Sequence, residues 1–461
     1  MAVKESNSVQ PKTINVAIIG GGPGGLATAI TLGRLPFISW TLYEKKPQIS
    51  ETGGGISLQR HTWRMLELMG AAQNISNDDF FRPPDGHTVQ HRNARTGELL
   101  SQGFAPKDTP PNQGSCRMVR PKLQGALLKQ VDQTKIKTGK KLVDIERLAS
   151  GRLRIVFADG FEDEVDLLVG ADGIRSAVRQ FAFPTHSISY IGQSAYRTLI
   201  STASVDGHLL ATSTPTVPKG PIFWHNVGGK YVFTCPLGGD VFEVTARIRR
   251  SPDSQDQVSW GQPFDFHQLL PEYAEFCPTV RAILALAAAT GQTQEFAMFS
   301  GPRLESCVGF GSVALLGDAS HPLSGAFGAG AGFALEDAYT LAAALEWAFS
   351  RRGGREGETG GVLADALGLY DRVRSPHYKG LYDTLDRMGG AVAALAKEGL
   401  PVDEEIAERV RRSKDAGNDW MYYHKADEVV RQAILEVEAE VGGSGKGDQV
   451  VVGALEVEVG A

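Results

Sequence analysis

The stretch Val16-Ala17-Ile18-Ile19-Gly20-Gly21-Gly22-Pro23-Gly24-Gly25 decides the fold. Residues Ile14 to Ile19 are mostly apolar and rich in β-branched side chains, the pattern of a buried parallel strand. Gly20, Gly22 and Gly25 follow in G-x-G-x-x-G spacing, and Leu26 to Leu32 reads as a helix. In such a unit the first glycine makes the turn, the second lets the backbone approach a pyrophosphate, and the third packs helix on strand. The phosphates then meet free N–H groups at the positive end of the helix dipole. A second strand, Trp40 to Tyr43, ends at Glu44, where an acid accepts hydrogen bonds from a ribose diol.

Two further segments extend this reading. One is Val169-Gly170-Ala171-Asp172-Gly173-Ile174-Arg175-Ser176. The other is Ala314-Leu315-Leu316-Gly317-Asp318-Ala319-Ser320-His321, running into Gly328-Ala329-Gly330-Ala331-Gly332. Each alone is a weak signal. All three in this order point to one cofactor, FAD.

A chain of 461 residues allows two or three packed domains. A net charge of −6 argues against a nucleic-acid surface. Cys116, Cys235, Cys277 and Cys307 show neither C-x-x-C pairing nor metal-ligand spacing, so they read as reduced thiols of a cytoplasmic protein with no metal site. No run of 18 apolar residues suggests a membrane span, and Met1 to Thr13 has no secretory apolar region.

The expected fold is α/β: a Rossmann-like FAD-binding domain with an interleaved β-sheet substrate domain and C-terminal helices. The FAD-binding part spans 12–186 and returns at 300–350; a mainly antiparallel substrate domain spans 187–299. A helical region covers 351–440 and a flexible tail 441–461, with glycine-rich linkers at 351–361 and 441–448. Strands are expected at 193–201, 221–226, 230–234 and 241–248. Helical stretches are expected at 264–289, 363–382 and 404–436, the last carrying Trp420, Tyr422, Tyr423 and His424.

The three segments, with Gly53, Gly55, Ile56 and Leu58 in a G-x-G-I-x-L stretch and Arg120 before a helix, resemble the group A FAD-dependent aromatic hydroxylases. This is the para-hydroxybenzoate and salicylate hydroxylase family, and the nearest likeness is to its fungal secondary-metabolism monooxygenases. The resemblance covers roughly 12–430. It implies that Glu44 binds the adenosine ribose, and that Gly54 and Gly55 line the flavin. Arg120 and Asp318 would serve the ribityl or phosphate region. Gly330, Ala331 and Gly332 would offer amides to the flavin's N1–C2 edge, where a helix N-terminus stabilises the negative charge of reduced flavin. Asp172 would serve FAD and nicotinamide handling, or cap the turn that follows it.

The family also implies the chemistry: NAD(P)H reduces FAD, O2 adds to give a C4a-hydroperoxyflavin, and one oxygen passes to an electron-rich aromatic small molecule. A phenol or salicylate-like substrate leads; indole 2,3-epoxidation with rearrangement in alkaloid biosynthesis is the alternative. A monomer or homodimer is expected. Arg197 would steady a phenolate or donate to the oxidant, unless it is a surface-paired strand arginine. Tyr231 would orient the substrate, unless it serves cross-strand packing. Trp224 and Phe233 are either cavity walls or core. Cys235 stands where relatives often have tyrosine and lacks a partnered base. His61 reads as a surface or cap histidine. The family proline four residues after the motif histidine is replaced by Gly325, so the path of that loop is in question. A halogenase would carry W-x-W-x-I-P, which is missing here; a non-catalytic flavin-binding redox protein is the distant alternative.

Overall fold

A computed structural model describes residues 13–51, 54–211, 218–250, 260–323, 325, 327–353, 359–415, 417 and 419–442. Met1 to Lys12, Gly53, Ser324, residues 354–358 of the glycine-rich cluster at 351–361, and the tail from 443 lie outside them.

Ile14–Ile19 is buried at every residue but Asn15 and runs parallel to Ile38–Tyr43 on one side and Leu167–Gly170 on the other. Val313–Leu315 extends the sheet beyond Leu167–Gly170, also in parallel. Ile136–Lys137 and Val308–Gly309 close its two edges. Four adjacent strands therefore lead, at their carboxyl ends, into Gly317-Asp318, Asp172, Gly20 and Glu44. Ligands of open α/β sheets bind at that edge.

The helix after the glycine turn is Pro23–Leu32, starting three residues earlier than expected because Pro23 suits the first helical position. The helix Gly330–Arg351 lies against it: a Cβ at Gly24 would sit 3.2 Å from Ala334 Cβ, and Thr31 Oγ1 donates to Ala338 O at 3.3 Å.

The second sheet has eight strands, in the order Trp260–Pro263, Gln294–Ser300, Ser189–Ile200, Phe242–Arg249, Tyr231–Pro236, Ile222–His225, His87–Asn93, Leu99–Phe104. Its last two strands come from the segment expected to belong wholly to the FAD-binding part. His87–Asn93 also pairs in parallel with Ile222–His225, so the sheet is not purely antiparallel. The polar run His-Thr-Val-Gln-His-Arg-Asn shows no clean alternation, and its partner is far away in sequence.

One face of this sheet is core. Tyr196, Trp224, Val232, Val244 and Ala246 are buried with residues of Thr202–Ala211, Phe266–Tyr273 and Pro278–Ala289. Alternation puts Arg197, Tyr231, Phe233 and Glu243 on the opposite face. The expected helix 264–289 is a 3₁₀ segment and a separate α-helix, because Pro278 holds Cys277 extended at ψ 158°.

Thr359–Leu395 forms one long helix. The expected helix 404–436 divides into Val402–Asp415 and Ala426–Gly442, with Gly417 at φ +67° between them. Trp420 and Tyr422 thus lie on a 3₁₀ turn, and Tyr423 and His424 follow it outside any helix. No helix among the described residues is long and apolar enough to cross a membrane.

Candidate cofactor and substrate site

At the glycine turn, Gly20 has φ +108° and donates its N–H to Tyr43 O at 2.8 Å. A Cβ there would lie 2.4 Å from Ala171 O, and one at Gly25 only 1.8 Å from Gly20 O. Gly22 is the residue before the helix, and Gln124 Nε2 donates to Gly21 O at 3.0 Å. Glu44 is buried; its carboxylate accepts Gly21 N–H at 2.7 Å and Lys46 N–H at 2.8 Å, one on each oxygen. Arg120 pairs with Glu51 at 3.0 Å, and Glu51 Oε1 lies 4.0 Å from where a Gly22 Cβ would be, so this pair stands beside the turn.

Asp318 opens onto a hollow, yet protein crowds it enough that burial pushes its carboxyl up, against the charges of Arg120 and Arg179. No described group hydrogen-bonds its carboxylate. Arg179, which the sequence reasoning passed over, is buried and donates through Nη1 to the carbonyls of Asp318 (3.1 Å) and Ala319 (3.0 Å), and through Nη2 to that of Ile174. It staples the Asp-Gly loop to the Gly-Asp turn; its place in the R-x-x-x-R spacing after Gly173 was the one local signal.

Asp172 Oδ2 accepts the N–H groups of Ala177 (2.7 Å) and Val178 (3.3 Å), capping the helix Ala177–Ala182. The turn-capping role is what this geometry shows. Its Oδ1 is buried without a partner, and burial raises the carboxyl's pKa.

Gly330, Ala331 and Gly332 are the first three residues of their helix, so their amides stand outside its hydrogen-bond ladder. A Cβ at Gly330 would lie 3.7 Å from Asp318 Oδ1, and one at Gly332 2.1 Å from His61 Nε2. His61 is accordingly not a surface residue: it is 1% exposed, with Nδ1 3.2 Å from Tyr422 O. Burial lowers its pKa.

On the sheet side, a Cβ at Gly54 would lie 2.1 Å from Arg197 Cδ. Between Arg197 and Arg117 sits Glu243, 1% exposed, with Oε1 3.2 Å from Arg197 Nε and accepting Gly55 N–H at 3.1 Å. Arg117 Nη2 bonds Glu243 Oε2, while its Nη1 donates to Ser57 Oγ at 2.8 Å. Arg197 borders a cavity of about 400 Å³ that Gly54, Leu199, Pro263 and Thr293 also line.

Tyr231 shares this face, but its hydroxyl accepts Arg247 Nη1 at 3.1 Å and its ring meets Phe223 edge-on at 5.4 Å. Phe233 lies under Arg117 at 4.9 Å, whereas Trp224 belongs to the opposite core, its Nε1 donating to Thr234 Oγ1 at 3.0 Å. The Cys235 thiol is wholly buried, and burial pushes its pKa up, away from nucleophilic use.

Behind the flavin-facing helix is an ion network. Arg374 bonds Asp337 Oδ1 at 2.6 Å and Glu336 Oε2 at 3.2 Å, and His424 Nδ1 lies 3.2 Å from Glu336 Oε1. Glu336, His377 and His424 bring ligand-type atoms within 4.8 Å of one another. Arg374 and His424 already occupy both Glu336 oxygens, so we read the cluster as an internal ion network. Tyr422 donates its hydroxyl to Phe327 O at 3.0 Å, holding the loop that enters the helix.

These residues fit FAD. The glycine cradle has no room for side chains at Gly20 and Gly25, Asp318 offers an unbonded carboxylate, Asp172 an unpartnered oxygen, and the helix start free amides. Together they make a place suited to a flavin dinucleotide beside the eight-stranded sheet. A family model described as FAD binding domain matches residues 13–357. The chain belongs to this FAD-binding family, as a flavoprotein monooxygenase of the group A aromatic hydroxylase type. It is 27% identical to salicylate hydroxylase of Pseudomonas putida, over 94% of this chain and 97% of that protein. It is 26% identical to FAD-dependent monooxygenase sor5 of Hypocrea jecorina, over 93% and 95%. In fold it is similar to a salicylate hydroxylase substrate complex, with TM-score 0.74 and 23% identity over 92% of this chain and 98% of that one.

Proposed function

We propose that this chain uses NAD(P)H and O2 to insert one oxygen atom into an electron-rich aromatic small molecule, with a phenol or salicylate-like compound as substrate. The observation that carries this is the meeting of Arg197 with Gly54: a cationic residue of the substrate sheet touches the glycine strand of the FAD-binding part beside a cavity of about 400 Å³. The salicylate hydroxylase and 6-methylsalicylate 1-monooxygenase relatives support the substrate class.

Bound FAD supplies the redox chemistry, taking a hydride and activating O2 for oxygen transfer. The protein's own groups supply the rest. Glu44 and Asp318 accept hydrogen bonds from hydroxyls of the cofactor, and Arg120 adds charge beside the glycine turn. The free amides of Gly330, Ala331 and Gly332 favour negative charge at the flavin edge. Arg197 presents a guanidinium to a phenolate or carboxylate in the cavity, a charge-assisted bond that orients the ring.

The test is NADPH and NADH oxidation by the purified yellow protein with phenols, salicylates and indoles, with peroxide and mass-shifted product measured together. Substrate-stimulated oxidation with one added oxygen on a phenol or salicylate supports the reading. Product from indoles alone replaces its substrate class, and bound FAD that neither nucleotide reduces overturns the mechanism.

A further inference from the structure

Glu243 is an ionisable side chain withdrawn from water where the eight-stranded sheet meets a three-stranded sheet of Gly55–Leu58, Cys116–Val119 and Phe80–Phe81. It is the second residue of the strand Phe242–Arg249, faces Leu199 and Cys235 in register, and is 1% exposed. A carboxylate there would ordinarily be driven neutral by burial. Here the charges of Arg117 and Arg197 and the Gly55 N–H outweigh burial and hold it ionised. The three contacts come from three separate strands, Gly55–Leu58, Cys116–Val119 and Ser189–Ile200. Glycine at 54 and 55 makes the approach possible, since a Cβ would meet Glu243 Oε1 at 2.5 Å or Oε2 at 2.6 Å.

We propose that Glu243 is a positioning residue for Arg197, an inference that rests on the role assigned to Arg197 above. Glu243 Oε1 stands 3.2 Å from Arg197 Nε as an ion pair without a hydrogen bond, and the Arg197 guanidinium lies over the Phe296 ring at 5.1 Å. The terminal nitrogens of Arg197 donate to no described group, and 27% of the side chain remains accessible. The carboxylate's charge thus holds the Nε side of the guanidinium and leaves the terminal nitrogens for an anion in the cavity, which a planar fork bonds in bidentate fashion. It also holds two like charges close together: Arg117 and Arg120 both act to lower the Arg197 pKa. Without the anion between them, Arg117 and Arg197 repel, and Arg197 is the one with open space to move into. The sheet and the FAD-side glycine strand are joined by the same group, so the aim of Arg197 is set relative to the cofactor.

The experiment uses FAD-loaded Glu243→Gln, Arg197→Gln and the double variant, with phenol, salicylate and indole as probes and product-to-peroxide ratio as readout. A crystal structure of the Glu243→Gln holoenzyme is determined in parallel. Glutamine keeps the shape and removes the charge. The expected result is retained FAD, at least a tenfold fall in coupled product for each single variant, a double variant no worse than Arg197→Gln, and an Arg197 guanidinium displaced from Gly54. Coupling at wild-type level in Glu243→Gln, penalties that multiply in the double variant, or an unmoved Arg197 would overturn the proposal. Unchanged coupling in Arg197→Gln sinks the role of Arg197 itself, a different failure. If Glu243→Gln does not fold, Glu243→Asp keeps the charge one methylene short; wild-type coupling there also overturns the proposal, and reduced coupling with FAD retained supports it.

Discussion

Arg374 Nε lies 2.6 Å from Asp337 Oδ1, and neither side chain is exposed at all. The other oxygen of Asp337 accepts the Gly317 N–H and the Tyr378 hydroxyl, both at 2.7 Å. An ion pair from the long helix Thr359–Leu395 therefore holds the turn that carries Asp318. Removing one partner leaves a buried charge unmatched, which costs about 3–5 kcal/mol. Arg374→Met should lose about that much in urea unfolding of the holoenzyme and release FAD at lower denaturant. A melt and an FAD content equal to wild type would show that the pair does not support the turn.

The same network makes a pH prediction. Burial alone would raise the Glu336 carboxyl, but the His424 hydrogen bond and the Arg374 charge outweigh it and hold it at about 2, below its ordinary 4.5. A carboxyl depressed in the folded state contributes stability that is complete above its unfolded pKa and lost as pH falls through the folded one. The contribution should thus be present above about 4.5 and disappear by about 2. Thermal midpoints of wild type should fall more steeply over that window than those of Glu336→Gln; parallel curves would remove Glu336 from acid sensitivity.

Asp318 stands at the carboxyl end of its strand, and no described group hydrogen-bonds its carboxylate, which leaves it open to a ligand. Charge-assisted bonds contribute about 1.5–3 kcal/mol each, and about 1.4 kcal/mol is tenfold in affinity. Asp318→Ala should bind FAD roughly ten- to a hundredfold more weakly and purify with little yellow colour. Full retention, read from the flavin absorbance per protein, would take Asp318 out of the site.

The features legible in the sequence were those set by neighbours along the chain. Strand, turn and helix at 14–32 follow from β-branched residues, glycine spacing and a proline, all within one unit. The acids at 44 and 318 could be placed because they follow strand ends, and the glycines at 330 and 332 because they open a helix. Arg179, Glu243 and Arg374 were not legible, since a charged residue in a strand or helix looks solvated until its partner is known. Glu243 meets Gly55 188 positions away, and Arg179 meets Asp318 139 positions away. His61 was misplaced for the same reason: its helix offers polar and apolar faces, and only the packing of Gly332 against it shows that this histidine lies inside.

That packing gives a further test. A methyl at Gly332 would come within 2.1 Å of His61 Nε2 and 2.4 Å of Thr62 Oγ1. Overpacking of this kind costs about 1–3 kcal/mol. Gly332→Ala should be destabilised by that amount and bind FAD less tightly. His61→Ala removes the nearer obstacle while Thr62 stays, so the double variant should regain part of the loss, with a coupling of about 0.5 kcal/mol or more. Strictly additive unfolding energies would show that the helices separate freely and that His61 does not set their spacing.

Gly325 stands where the family resemblance implies a proline, and its backbone does not suit one. Its φ is +66°, whereas a proline ring fixes φ near −65°. Nothing crowds the position, since a Cβ there would meet no atom within 4 Å, so conformation alone excludes proline. Two residues on, Phe327 O is tied to the Tyr422 hydroxyl, which leaves the loop little freedom to absorb a reversed dihedral. Gly325→Pro should therefore re-route the approach to the helix start at Gly330, weakening FAD binding and raising peroxide at the expense of product. Gly325→Ala, which pays about 1–2 kcal/mol for a left-handed backbone, should show a smaller effect in the same direction. The check is the product-to-peroxide ratio and FAD affinity of both variants. A proline variant equal to wild type in both would mean that the loop reaches the flavin equally well by the relatives' path.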